Sequence, residues 1–136
     1  MKKFKLLLCL SICFVAVGCG DKVPLRGTVT FTDGETAPHG TVIFQKDGFV
    51  ARGEIQPDGS YRVSSAGVND GLLPGEYSVH VQGITGMPPV QLGATMPPLP
   101  GLLHHPRYSD PETSGLSVTV PARGNRFDIV LERQGN

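Results

Sequence analysis

The sequence predicts an all-β fold, a seven-strand antiparallel sandwich, and three observations carry that reading. Apolar residues recur at every second position from Val23 onward, which lays them along one face of an extended strand. Turn dipeptides punctuate the chain at short intervals, and 18 glycines and 12 prolines in 136 residues leave few runs that could propagate a helix. With no amphipathic helix between the strands, a parallel α/β arrangement is disfavoured.

In the first strand Leu25, Val29 and Phe31 alternate with Arg26, Thr28 and Thr30. In the second, Val42 and Phe44 alternate with Thr41 and Gln45, and Ile43 interrupts the rhythm. Asp47-Gly48 turns the chain into a strand over 50–55, and Pro57-Asp58-Gly59 turns it again into 61–63, so two hairpins are expected. Asn69-Asp70-Gly71 and Pro74-Gly75 bracket a loop before strand 77–81, whose Tyr77 and valines share a face. The last strands, 116–120 and 127–131, are separated by a turn at 121–125. The inward residues form one core, and truncating a buried member such as Phe127 to alanine is expected to cost about 3–5 kcal/mol.

Residues 83–107 break the strand rhythm. This stretch of 25 residues holds six prolines and no charge before Arg107. Loops longer than about 15 residues without structure of their own are usually functional or disordered. Met87, Val90, Leu92, Met96, Leu99, Leu102 and Leu103 make it unusually apolar. Two readings follow: a docking segment for another envelope protein, or a flap that covers an open sheet edge.

The N-terminus reads as an address. Lys2, Lys3 and Lys5 form a cationic region, residues 6–17 an apolar one, and Ala16-Val17-Gly18-Cys19 a small-residue cleavage site. Twelve residues at about 1.5 Å each cannot cross a hydrocarbon core of about 30 Å, so the segment reads as a cleaved signal peptide rather than a span. The pattern resembles a bacterial lipoprotein signal, which implies cleavage after residue 18 and a diacylglyceryl group on the sulfur of Cys19. The expected organisation is a signal peptide over 1–18, a lipidated tether over 19–23, a sandwich over 24–133 and a short tail over 134–136.

Losing residues 1–18 leaves 118 residues, enough for a single domain, with 9 Lys+Arg against 12 Asp+Glu. That balance offers no footprint for nucleic acid. Cys9 and Cys13 leave with the signal, so the mature domain has neither a disulfide nor the thiolates for a zinc site.

Three stretches then carry a family resemblance: residues 23–31 (VPLRGTVTF), 70–79 (DGLLPGEYSV) and 108–116 (YSDPETSGL), the last followed by a strand and Gly124-Asn125. Together they resemble a bacterial lipoprotein family with a carboxypeptidase-regulatory-like, transthyretin-like domain. The resemblance implies a small exported sandwich, transthyretin-like or immunoglobulin-like in topology, without assigned catalytic residues or cofactor.

The chemistry available in the sequence agrees with a non-enzymatic module. There is no Gly-x-Ser-x-Gly elbow and no His-Glu-x-x-His helix. The Tyr-Arg-Gly-Ser ending of transthyretin-like hydrolases is replaced by Leu131-Glu132-Arg133-Gln134-Gly135-Asn136. Self-crosslinking between first and last strands lacks an amine, because Arg26 stands in the strand, Lys22 precedes it and Asn125 lies at a turn. His104 and His105, with Asp110 and Glu112 nearby, are the only adjacent metal-competent pair. Neighbours on an extended chain point to opposite sides, so solvated loop histidines are the expectation. His39 lies at a turn and His80 on the expected outer strand face, outside any constellation.

The sequence therefore predicts a monomeric, lipid-anchored protein of the cell envelope, outside the cytoplasm, acting as a structural or protein-binding module without cofactor. His104, His105, Arg107 and Tyr108 form its candidate partner surface; residues 108–116 read either as structural punctuation, Asp110-Pro111 turning the chain and Thr113-Ser114-Gly115 satisfying backbone groups before Leu116 enters the sheet, or as a recognition loop in which Tyr108 presents an exposed ring. The alternative is a metal- or carbohydrate-binding accessory protein using that same loop, the sugar version weakened by the absence of tryptophan and the presence of only three tyrosines.

Overall fold

The computed structural model describes residues 20–86 and 101–135. Cys19 and the centre of the Pro-rich segment, residues 87–100, lie outside them. Among the described residues seven strands form in the predicted places: β1 (Arg26–Phe31), β2 (Thr41–Lys46), β3 (Phe49–Glu54), β4 (Ser60–Arg62), β5 (Gly75–Gln82), β6 (Leu116–Val120) and β7 (Ile129–Leu131). They build two sheets, β4-β1-β7 and β3-β2-β5-β6.

Alternation decides which residues meet between the sheets. Val29 and Phe31 from β1, Val42 and Phe44 from β2, and Tyr77, Val79 and Val81 from β5 are all 2 % exposed or less. The Phe44 and Tyr61 rings approach to 6.1 Å between centroids, which joins the four-stranded sheet to the three-stranded one. Each buried aromatic removes a large apolar area from water, and together these contacts supply the main force closing the sandwich.

The β2–β3 hairpin forms as expected, because Asp47 (φ 48°) and Gly48 (φ 79°) both adopt the left-handed conformation that a tight, right-twisted hairpin needs. The second forms only in part: its turn closes, with Gln56 donating its N–H to the Ser60 carbonyl at 2.8 Å and Arg52 and Ser64 bridging in the same register, but Tyr61 turns its ring inward over Gly53 and β4 pairs as a strand with β1 instead.

A second correction concerns strand direction. β1 and β7 run parallel, Val29 beside Ile129 and Phe31 beside Leu131, so the sandwich is not wholly antiparallel. The turn at 121–125 carries the chain from one sheet to the other at the end where β1 begins, and β7 must then follow β1 in its own direction. Phe127 donates its N–H to the Arg26 carbonyl at 2.8 Å as the two segments join. Phe127 is itself half-buried against the core rather than enclosed by it, since the regular ladder starts only at Ile129.

The outer face of the larger sheet also departs from expectation. Ile43, which broke the alternation of β2, lies opposite His80 of β5, and both are buried, at 7 % and 6 % exposure. The segment after the Pro-rich stretch packs on β5 and excludes water from them; Ser114 donates its hydroxyl to the Val79 carbonyl.

Candidate functional site

The loop predicted to present a partner surface is instead a latch. His105 donates its N–H to the Glu132 carbonyl at 2.9 Å, and Gln134 donates to the Leu103 carbonyl at 3.1 Å, so residues 103–105 extend the sheet beyond β7. The edge is thereby covered where the chain runs on past β7, at residues 132–134, the kind of cover that the second reading of the Pro-rich segment calls for. His105 Nδ1 then accepts from the Arg107 N–H at 3.2 Å and caps a 3₁₀ turn over Pro106–Ser109.

That turn drives Tyr108 inward. Its ring is 4 % exposed and meets His104 edge-on at 6.4 Å, while the Arg107 guanidinium stacks over it at 4.6 Å. Arg107 also donates to the Tyr108 hydroxyl at 2.6 Å and pairs with Glu132 at 3.2 Å. Of the two readings of this stretch, the exposed recognition ring at Tyr108 fails, because the aromatic is consumed in fastening the loop, and Ser114 instead satisfies a backbone carbonyl of β5. Of the four candidate side chains, His105 and Arg107 face solvent and His104 and Tyr108 do not.

The expectation of solvated loop histidines holds at His105, which is exposed, and fails at His104. His104 is fully buried; its Nδ1 contacts the His105 carbonyl at 2.9 Å and its Nε2 has no partner. The Nδ1 of His80 is likewise buried without one. Burial without a partner disfavours the imidazolium, and desolvation holds both histidines below their ordinary pKa; Asp110 opposes this at His80, and the His105 carbonyl at His104. Among the described residues no group of three or more His, Cys, Asp or Glu side chains could hold a metal ion. Tyr61, Tyr77 and Tyr108 are all buried, which leaves Phe49 as the exposed large aromatic among the described residues and little stacking surface for a sugar.

Sequence reasoning missed two features at the opposite end of the sandwich. The first is how the N-terminal segment docks. Gly20 packs beside Leu73 and Pro74, Lys22 pairs with Asp70, and Val23 exchanges two hydrogen bonds with Leu72, at 2.7 and 2.9 Å. The residues read as a free tether are laid antiparallel along 70–74. Asp70 is the hub: it accepts from Lys22, from the N–H and hydroxyl of Ser65 and from the N–H groups of Ala66 and Gly67, and these bonds hold its carboxyl well below the usual range.

The second is a row of arginines across the outer face of the smaller sheet. Arg26 lies directly opposite Arg62 on β4, and Arg126 sits in a parallel bridge on its other side. Two shallow grooves of about 210 and 310 Å³ adjoin here; both include Arg26 and Arg62, the second adds Arg126, and neither is lined by a carboxylate. The outward positions were legible in the alternation, but the register that aligns them was not. No protein-family model, curated protein or solved structure matches this chain.

Proposed function

We propose that the chain is a lipid-anchored protein of the cell envelope, held at a membrane through an acylated Cys19, whose sandwich acts as a non-enzymatic structural or protein-binding module of carboxypeptidase-regulatory-like kind. The N-terminal pattern supports the anchor, and the docking of the tether carries the reading furthest. The residue after Cys19 already lies against Leu73 and Pro74, and Lys22 is fixed to Asp70. Three residue steps separate Cys19 from Lys22, about 10 Å at full extension. An acyl group on Cys19 would hold this end of the sandwich against the bilayer rather than let it drift on a leash, and two or three long chains make release negligible.

The described histidines that form hydrogen bonds are engaged within the fold: His39 meets Thr85, and His104 and His105 are part of the latch. The test is the mass of the N-terminal peptide from protein expressed in a bacterium. A first residue Cys19 bearing a thioether-linked diacylglyceryl group is expected, and Cys19→Ser should retain residues 1–18. An unacylated N-terminus cut at another position refutes the proposal.

A further inference from the structure

The end of the sandwich from which the N-terminal segment leaves carries both an apolar tip and a cationic flank. The tip is formed by the β2–β3 turn and the loop before β5: Phe49 and Leu73 are 38 % and 41 % exposed, and with Lys46, Asp47, Pro74 and Tyr77 they line a hollow of about 250 Å³. Gly20, the first described residue, packs on two of these, Leu73 and Pro74.

The flank is the arginine row. β1 begins at Arg26, β4 ends at Arg62 and β7 follows Arg126, so all three guanidinium groups stand toward this same end. Like charges directly opposite across a strand pair destabilise a sheet. Arg126 is relieved by Asp128 at 2.7 Å, whereas Arg26 and Arg62 have no ion pair among the described residues. Folding gains nothing from that pair. A ligand that brings negative charge does, and guanidinium groups suit phosphate oxygens in particular.

We propose that this end is a bilayer-docking surface, with Phe49 and Leu73 entering the interface and the Arg62–Arg26–Arg126 row contacting the phosphates of anionic phospholipids. The proposal deepens the anchor reading and rests on it for the choice of occupant. Cys19 adjoins Gly20 at the tip itself, so the nearest large object to this surface is the membrane. The described ends of the Pro-rich segment, residues 83–86 and 101–107, stand at the opposite end, after β5. Exposed apolar side chains flanked by basic ones are the composition that interfacial binding uses.

The chain contains no tryptophan, so one introduced indole reports contact. The full chain carrying Cys19→Ser and Phe49→Trp is mixed with vesicles containing phosphatidylglycerol and brominated acyl chains; the apolar segment 6–17 brings the protein to the bilayer whether or not Cys19 is acylated in the cell. Quenched, blue-shifted emission is expected from Phe49→Trp and unshifted emission from Val130→Trp, which lies on β7 away from the tip. Adding Arg26→Gln and Arg62→Gln should reduce quenching to its level on phosphatidylcholine vesicles, and Arg52→Gln should not. Removing the unrelieved cross-strand pair should also leave the melting temperature unchanged or raise it. Equal quenching at positions 49 and 130, an unquenched Phe49→Trp, or indifference to the two arginines overturns the proposal. An unacylated Cys19 together with a quenched Phe49→Trp would sink the anchor and leave the docking surface standing.

Discussion

Gly27 lies close against Phe127 on the approach to β7, and replacing it tests how β1 and that approach are joined. A Cβ built there would lie 1.8 Å from the Phe127 carbonyl oxygen and 2.7 Å from the Tyr61 hydroxyl. Real Cβ atoms stay beyond 3.0 Å, so β1 and the approach to β7 must separate by more than 1 Å. Gly27 has no left-handed conformation, and the cost of Gly27→Ala is steric. The separation breaks the bond from Phe127 N–H to the Arg26 carbonyl and the one from the Tyr61 hydroxyl to the Phe127 carbonyl. Two such bonds are worth about 2 kcal/mol and overpacking adds about 1–3, a total of roughly 3–5 kcal/mol. For a domain of this size that lowers the melting temperature by about 12–20 °C. Tyr61→Phe alone should cost about 1–3 kcal/mol, because it leaves a carbonyl short of its donor. The double variant should cost less than the sum, since both changes remove the same bond. Thermal unfolding followed by circular dichroism decides the matter. A Gly27→Ala protein within about 0.5 kcal/mol of the parent would refute the closeness of β1 to Phe127.

Three further predictions concern the core, the latch and the tether. Leu131→Ala, at a fully buried position of β7, should cost about 2–5 kcal/mol, whereas Phe127→Ala should cost only about 1–2 because its ring is half-buried; urea midpoints rank the two. The desolvated neutral forms of His80 and His104 give stability that is complete above their ordinary value of 6.5 and declines as pH falls below it, because the unfolded chain takes up those protons first. Unfolding free energy measured from pH 7.5 down to 5 should therefore fall, and His104→Phe should flatten the slope. Asp70→Ala should release the amides of Ser65, Ala66 and Gly67 and those of Val23 and Leu72 to faster hydrogen exchange while β2 and β5 keep their protection; uniform protection would contradict the hub.

The strands were legible because a half-buried sheet writes its period into the sequence, and every alternating run became a strand at nearly the residues expected. The pairing was not legible. Period-two patterning says which way a side chain points and nothing about which strand lies beside it. Pro57-Asp58-Gly59 has the chemistry of a hairpin turn, yet Tyr61 across from Phe44 decides that the chain changes sheet there. The parallel run of β7 along β1 depends on contacts about one hundred residues apart, which no local signal encodes.

The candidate site failed in the sequence for a related reason. His104, His105, Arg107 and Tyr108 drew attention as polar and aromatic residues in a loop, and loops usually face solvent. This loop closes a sheet edge, and an edge cover needs an aromatic to bury and donors for the carbonyls it meets. Tyr108 and His105 supply both. Ile43 was the sign that could have been read: an apolar residue on an outer strand face must be covered by something, and the segment that covers it and His80 is the one that looked most available for a partner. Arg26, by contrast, sat unremarked in a regular alternation. Only the register that sets it between Arg62 and Arg126 turns an ordinary exposed cation into part of a charged surface, and that surface stands at the end to which Lys22 is bound.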